Sequence, residues 1–382
     1  MLSPKYFARY LRYLIKNRMK ITVEDYKLFP VKRIEKGGNE FHFTGQTKDL
    51  HINTPQNISI AIPKDDSFES FLEATHTTGF IIIRDDGILF EKYFNGFSHD
   101  SLSQTFSVSK SMISALIGIA MSEGYIKDIR IPVTYYFPEL KSNGFDAVSI
   151  DDILNMRSGV KFNEGHYPWS DEAIAYLYPS WRKLKNKIEI NEKVGEYFHY
   201  SDYYLVILAN ILDKVLGNGI TPYFEEKIWK QIGAESHALI SLDNEKNPLE
   251  KIESGIACRT IDLAKFGRLY LNKGVWEGKQ IVPEKWVLES TDFISQQNPA
   301  NYYDYYDYKM WGKWFKSGKG GYKNFWWGFK DDAGYYDFFA LGMLGQVLYI
   351  SPTKNTIMIR LGNSWGIKDW WPRVMNKILN EI

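Results

Sequence analysis

The chain has 382 residues, 44% of them hydrophobic and 24% charged, and its 47 Lys and Arg nearly balance 46 Asp and Glu for a formal net charge of +1. That is the composition of a folded protein with room for a large core in one domain or two interleaved ones, and the charge balance removes any whole-chain electrostatic case for nucleic acid. A single cysteine, Cys258, excludes an internal disulfide and a thiolate zinc site, and the seven histidines form no H-x-x-x-H pair, so neither a metal nor a cofactor is expected.

Residues 1 to 20 carry Lys5, Arg9, Arg12, Lys16, Arg18 and Lys20 with no acid, interleaved with Phe7, Tyr10, Leu11 and Leu14 at helical spacing. Such a helix either contacts an anionic membrane surface or packs on its own domain. No run approaches the roughly 18 apolar residues of a spanning helix and no signal-peptide core opens the chain, so a cytoplasmic or membrane-surface location is expected.

Gly79 to Arg84, a turn at Asp85-Asp86-Gly87 and Ile88 to Phe94 predict a β-hairpin, because Asp-Gly between apolar runs is a strong turn signal. The texture then becomes helical. Residues 107 to 123, 151 to 157, 202 to 216 and 261 to 272 show apolar spacings of three and four, with Gly217 as a helix stop. Asn301 to Trp327 is too aromatic for a linker and reads as an insertion near a cleft. A second hairpin (346 to 350, turn 351 to 355, 356 to 361) and a helix over 368 to 380 complete the chain. The economical arrangement is an α+β fold. An antiparallel sheet flanked by helices is built from residues 51–125 and 240–382, a mainly helical lobe (126–239) is inserted into it, and residues 1–50 form a basic N-terminal extension.

The chemistry-bearing pattern is S-x-x-K, since residues three apart on a helix share a face and a lysine can reach a serine one turn away. In a desolvated site the lysine pKa falls and the neutral amine can take the hydroxyl proton. The pattern occurs four times, at Ser107/Lys110, Ser158/Lys161, Ser180/Lys183 and Ser351/Lys354. Context favours the first: Ser107 opens an amphipathic helix, where free amides and the positive helix end favour an oxyanion, and none of the others is expected to open one. A helix cap is the competing role for such a serine. Gly362-Asn-Ser364-Trp-Gly366 matches the G-x-S-x-G elbow, but that arrangement needs a histidine downstream and the last one is His237. His166, Trp169 and His199 lie near these segments in sequence, but a satisfied, hydrogen-bonded histidine is commoner than a catalytic one and no role is assigned to them.

Phe106-Ser-Val-Ser-Lys-Ser-Met-Ile-Ser-Ala-Leu-Ile-Gly118 resembles the first motif of the β-lactamase-related serine hydrolases, in the branch similar to 6-aminohexanoate-dimer hydrolases and class C-like esterases. Ile153 to Val160, Tyr200-Ser-Asp202, Asp262 to Tyr270 and Ala340 to Gln346 resemble later segments in the same order. The resemblance implies a β-lactamase/transpeptidase-like fold over about residues 70 to 380, with Ser107 as nucleophile, Lys110 as base and Tyr200 shuttling a proton. It also implies an oxyanion hole from the amides of Ser107 and Gln346, with Asp202 and Gly345 in support.

Two departures stand out. Met343-Leu344-Gly345 occupies the place of Lys-Thr-Gly, so the cation that grips a β-lactam carboxylate is missing, and weak or no β-lactamase activity is expected. Asp202 replaces an asparagine, and its charge would raise the Lys110 pKa. The expected function is a serine hydrolase for small ester or amide substrates. The alternatives are a D,D-peptidase of the penicillin-binding kind and a non-catalytic protein that kept the fold.

Overall fold

Two principal antiparallel sheets organise the computed structural model, which describes residues 3–16, 20–45, 52–55, 57–165, 167–293, 295–296, 298–331, 334 and 336–382. Arg18 and His166 lie outside the described residues. The strands in chain order are β1 (Val31–Ile34), β2 (Thr77–Arg84), β3 (Gly87–Tyr93), β4 (Ser103–Gln104), β5 (Ala238–Ser241), β6 (Ile256–Cys258), β7 (Gly320–Lys323), β8 (Trp326–Lys330), β9 (Tyr336–Gly342), β10 (Gln346–Ser351) and β11 (Thr356–Gly362). The large sheet runs β3-β2-β11-β10-β9-β8-β7 and the small one β1-β5-β6-β4.

Local chemistry explains the joints. Asp85 and Asp86 both take positive φ (52° and 59°), the requirement of a type I′ hairpin, and they join β2 to β3. The strands β2, β10 and β11 are buried along almost their whole length because helices cover both faces. The helix Thr260–Leu271 covers one face, so closely that a Cβ on Gly267 would lie 2.7 Å from Leu348 Cδ1. On the other face, Asn376 of the last helix donates to the Tyr349 hydroxyl at 3.3 Å. Leu348 and Tyr349 are consecutive, so they point to opposite faces, as the strand period of two demands.

The five helices that frame the site are α1 (Pro4–Lys16), α2 (Val108–Ser122), α3 (Tyr203–Leu216), α4 (Thr260–Leu271) and α5 (Trp371–Glu381). In α2 every residue from Val108 to Ala120 is buried, and in α3 every residue from Tyr203 to Leu212, so both are core helices rather than amphipathic surface ones. Gly217 ends α3 at φ 70°. Among the described residues no single helix is long and apolar enough to cross a membrane.

Two placements differ from the sequence reading. The N-terminal extension is not separate from the sheet architecture, because β1 pairs with β5. The aromatic stretch at 301 to 327 is more than an insertion: after the short helix Met310–Lys316 it supplies edge strand β7 and the start of β8.

Candidate active site

The small sheet leads directly into the candidate nucleophile. From β4 the chain passes Thr105, whose N–H donates to the Ile256 carbonyl at 2.9 Å, and then Phe106, held at φ 47°. A non-glycine residue in that left-handed region is strained, and such strain persists only where the surroundings over-determine it. Ser107 follows as the residue before the first turn of α2, and its side chain makes no capping hydrogen bond. Its hydroxyl accepts from Lys110 Nζ instead, at 2.8 Å.

Lys110 stands one turn further along, with its side chain 1% exposed. Its ammonium donates to Ser107 Oγ at 2.8 Å and to the Glu253 main-chain carbonyl at 3.0 Å, and it forms an ion pair with Asp202 Oδ1 at 2.7 Å. Burial pushes the Lys110 pKa down, but the Asp202 carboxylate, aided by Tyr200 and Glu253, outweighs it and holds the amine above its ordinary value. The acid at 202 thus opposes the desolvation that would favour an un-ionised amine, in the direction expected for a carboxylate at that position. Asp202 can act this way because, although it precedes α3, it makes no side-chain cap to that helix.

Tyr200 completes the cluster. Lys110 Nζ lies 5.0 Å from its ring centroid, and the ring stacks on Trp327 at 5.7 Å. Its main-chain N–H donates to the Tyr306 hydroxyl at 2.9 Å. Burial pushes the Tyr200 phenol up and Lys110 pulls it down, as do hydrogen bonds with Ser107 and Lys110, yet the net direction is upward.

Ser107, Tyr200 and Asp202 border a cavity of about 1130 Å³. Tyr306, Trp311 and Trp327 from the aromatic stretch line one side, and Leu341 to Leu344 another. Tyr10, Tyr13 and Leu14 of α1 line a third, a contribution with no local signature in the sequence. Three further acids, Glu24, Glu164 and Glu172, also reach the cavity. Lys309 Nζ pairs with Glu164 at 3.0 Å, while burial, reinforced by the charges of Asp202 and Glu164, pushes Glu172 up to about 7.

The third motif needs correction. Gln346 is fully buried, its N–H donates to the Met343 carbonyl, and its side chain is bonded to Met343 and Gly362, so its amide does not face Ser107. The chain turns away at Leu344 (φ 62°) and Gly345 (φ 80°), and a Cβ on Gly345 would meet Arg360 behind the wall. The residue beside Ser107 is Gly342, where a Cβ would lie 3.2 Å from Ser107 N and 2.5 Å from the Thr105 carbonyl. The next amide, that of Met343, borders the cavity.

The rival serines stand apart. Lys161, Lys183 and Lys354 are all exposed, whereas Lys110 is buried. Contrary to expectation Ser180 does open a helix, the single turn Trp181–Leu184, but its lysine faces outward. Ser364 borders the same cavity, and its carbonyl accepts from Arg360 at 2.9 Å. Trp169 is exposed, and His199 is buried with its Nε2 3.2 Å from the Phe162 carbonyl. Cys258 is fully buried on β6.

A profile of the β-lactamase family matches residues 65–369. The 6-aminohexanoate-dimer hydrolase of Paenarthrobacter ureafaciens is 27% identical over 333 residues, covering 82% of this chain and 80% of that protein. A Bacillus anthracis structure provisionally named as a 6-aminohexanoate-dimer hydrolase superposes with a TM-score of 0.76 at 20% identity, over 97% of this chain and 93% of that one. A class C β-lactamase from Rhodobacter sphaeroides gives 0.59 at 13% identity, over 82% and 97%. With that family match over most of its length, the chain belongs to the β-lactamase family and is a serine hydrolase of the β-lactamase fold.

Proposed function

We propose that this hydrolase cleaves linear esters or amides through an acyl-enzyme on Ser107, with Lys110 and Tyr200 moving the protons and little action on β-lactams. The observation that carries the reading is the 2.8 Å contact between a buried lysine and an uncapped serine hydroxyl at a helix start, on the border of a large aromatic cavity.

In the acylation step Ser107 Oγ bonds to the substrate carbonyl carbon while its proton leaves through the Lys110–Tyr200 pair. That pair must first have lost one proton. Asp202 favours keeping the proton on the amine, so Tyr200 oxygen is the acceptor and the Lys110 ammonium steadies it. The same proton then passes to the departing alcohol or amine as its bond to carbon breaks. Water attacks the acyl-enzyme next, giving a carboxylic acid and restoring the hydroxyl. The N–H groups of Ser107 and Met343 are the donors best disposed for the oxyanion.

Substrate class follows from the walls. Leu341, Met343 and Leu344 offer no cation for a β-lactam carboxylate, a loss on the order of 2 to 5 kcal/mol for a buried charge pair. Glu164 and Asp202 are paired with Lys309 and Lys110, so these walls suit an uncharged substrate, and Glu172 suits an amine-bearing one where it is ionised, in keeping with the name of the Paenarthrobacter relative. A fluorophosphonate probe read by intact mass should label the native protein and leave Ser107→Ala unlabelled. Rates on p-nitrophenyl esters, linear amides, D-Ala-D-Ala peptides and nitrocefin should fall with the first two ahead. Absence of labelling, or nitrocefin as the fastest substrate, defeats the proposal.

A further inference from the structure

Helix α1 has two faces with different fates. The inner face is fastened: the Tyr6 hydroxyl donates to the Pro168 carbonyl at 2.7 Å, the Tyr13 hydroxyl to Asp25 at 2.7 Å, and Arg9 to the Asp243 carbonyl while lying over the Phe29 ring. The outer face exposes Phe7 (41%), Leu11 (57%) and Ile15 (78%), a stripe at i, i+4 and i+8. Exposed Lys5, Arg12 and Lys16 accompany it, and the first acid in the chain is Glu24.

A helix docked so firmly on one side has no internal reason to leave three large apolar side chains in water on the other. Apolar side chains accompanied by uncompensated cations are complementary to one environment in particular, the boundary between acyl chains and anionic headgroups. A second exposed apolar pair, Ile60 (64%) and Ile62 (94%), also neighbours the cavity border: the Ile60 N–H donates to the Gly366 carbonyl, next to Ser364 and Trp365.

We infer that the outer face of α1 seats this protein on an anionic lipid surface, with Phe7, Leu11 and Ile15 entering the headgroup boundary and Lys5, Arg12 and Lys16 meeting lipid phosphates. Because Tyr10, Tyr13 and Leu14 of the same helix line the catalytic cavity, the docked enzyme takes acyl substrates that partition into the membrane; this last point rests on the hydrolase reading above.

Co-sedimentation of the full chain with phosphatidylcholine vesicles, with and without phosphatidylglycerol, tests it. Binding should require phosphatidylglycerol and weaken as salt rises. Leu11→Glu should abolish it, and Lys5→Gln/Arg12→Gln/Lys16→Gln should weaken it about a hundredfold. Leu11→Glu should keep full activity on a short soluble p-nitrophenyl ester, which also reports intact folding, and lose activity on a long-chain ester presented in anionic vesicles. Ser107→Ala should bind vesicles as the native protein does, so an inactive but bound enzyme defeats only the hydrolase reading. Absence of vesicle binding, binding indifferent to both sets of substitutions, or a concentration-dependent dimer that Leu11→Glu dissociates would overturn the inference.

Discussion

Asp202 Oδ1 lies 2.7 Å from Lys110 Nζ, in a site where that lysine also touches the Ser107 hydroxyl. A carboxylate so placed decides which of two neighbouring groups carries a proton. Both Lys110 and Tyr200 are held above their ordinary values, so kcat/KM should keep rising on the alkaline side until the pair loses one proton. Asp202→Asn removes the largest upward influence on the lysine, and the rising limb should move toward acid by roughly 1 to 3 pH units. An unchanged pH profile would show that the acid does not govern the proton.

Glu172 predicts an opposite kind of pH effect. Burial pushes its carboxyl up to about 7, so it is neutral below that pH and charged above it. For a substrate carrying an ammonium group, KM should rise as pH falls through about 7, while KM for an uncharged ester stays flat. Glu172→Gln should remove the difference between the two.

Gly342 predicts a catalytic loss that stability does not share in proportion. A Cβ there meets two main-chain atoms, the Thr105 carbonyl and Ser107 N, which cannot rotate aside as a side chain would. Gly342→Ala should push the wall back from the nucleophile and cost roughly 10² to 10³ in kcat, the scale of a lost oxyanion donor. Steady-state kinetics beside a urea melt would separate the two effects.

Arg360 is a buried cation with no carboxylate partner among the described residues. It donates to the carbonyls of Leu344 (2.7 Å), Gly345 (2.8 Å), Thr75 (2.9 Å) and Ser364 (2.9 Å), lies over the Trp371 ring, and burial alone lowers it to about 9. Arg360→Met leaves those acceptors without their donor and should destabilise the fold by on the order of 4 kcal/mol, read as a lower urea midpoint.

Gly118 offers a pure packing test. A Cβ there would fall 2.4 Å from Trp286 Cγ. Alanine is the better helix former by about 1 kcal/mol, but overpacking costs roughly 1 to 3 kcal/mol, so Gly118→Ala should lower stability on balance.

The parts of this site that were legible in the sequence are those that depend on neighbours along the chain. Ser107 and Lys110 meet because helical residues three apart share a face, and the Asp85-Asp86 turn follows from local dihedral preference. Tyr200 and Asp202 join them only across the fold, so a resemblance was needed to suggest them. The error at Gly345 and Gln346 has a similar root. Gly342 and Gly345 are both plausible strand ends, and only the positive φ at Leu344 and the pairing of Gly342 with Gln346 say where the strand stops. Glu172 and the α1 wall left no local signature, because their roles come from burial against segments distant in the chain.

Tyr10, Tyr13 and Leu14 reach the cavity from a helix that precedes the family-matched region, which starts at residue 65. On the proposed function, the bond-breaking residues and part of the wall that meets the substrate lie in separate stretches of the chain. Exchange of the leading stretch would give a lineage new preferences while the apparatus, and the core that supports it, stayed under its own selection.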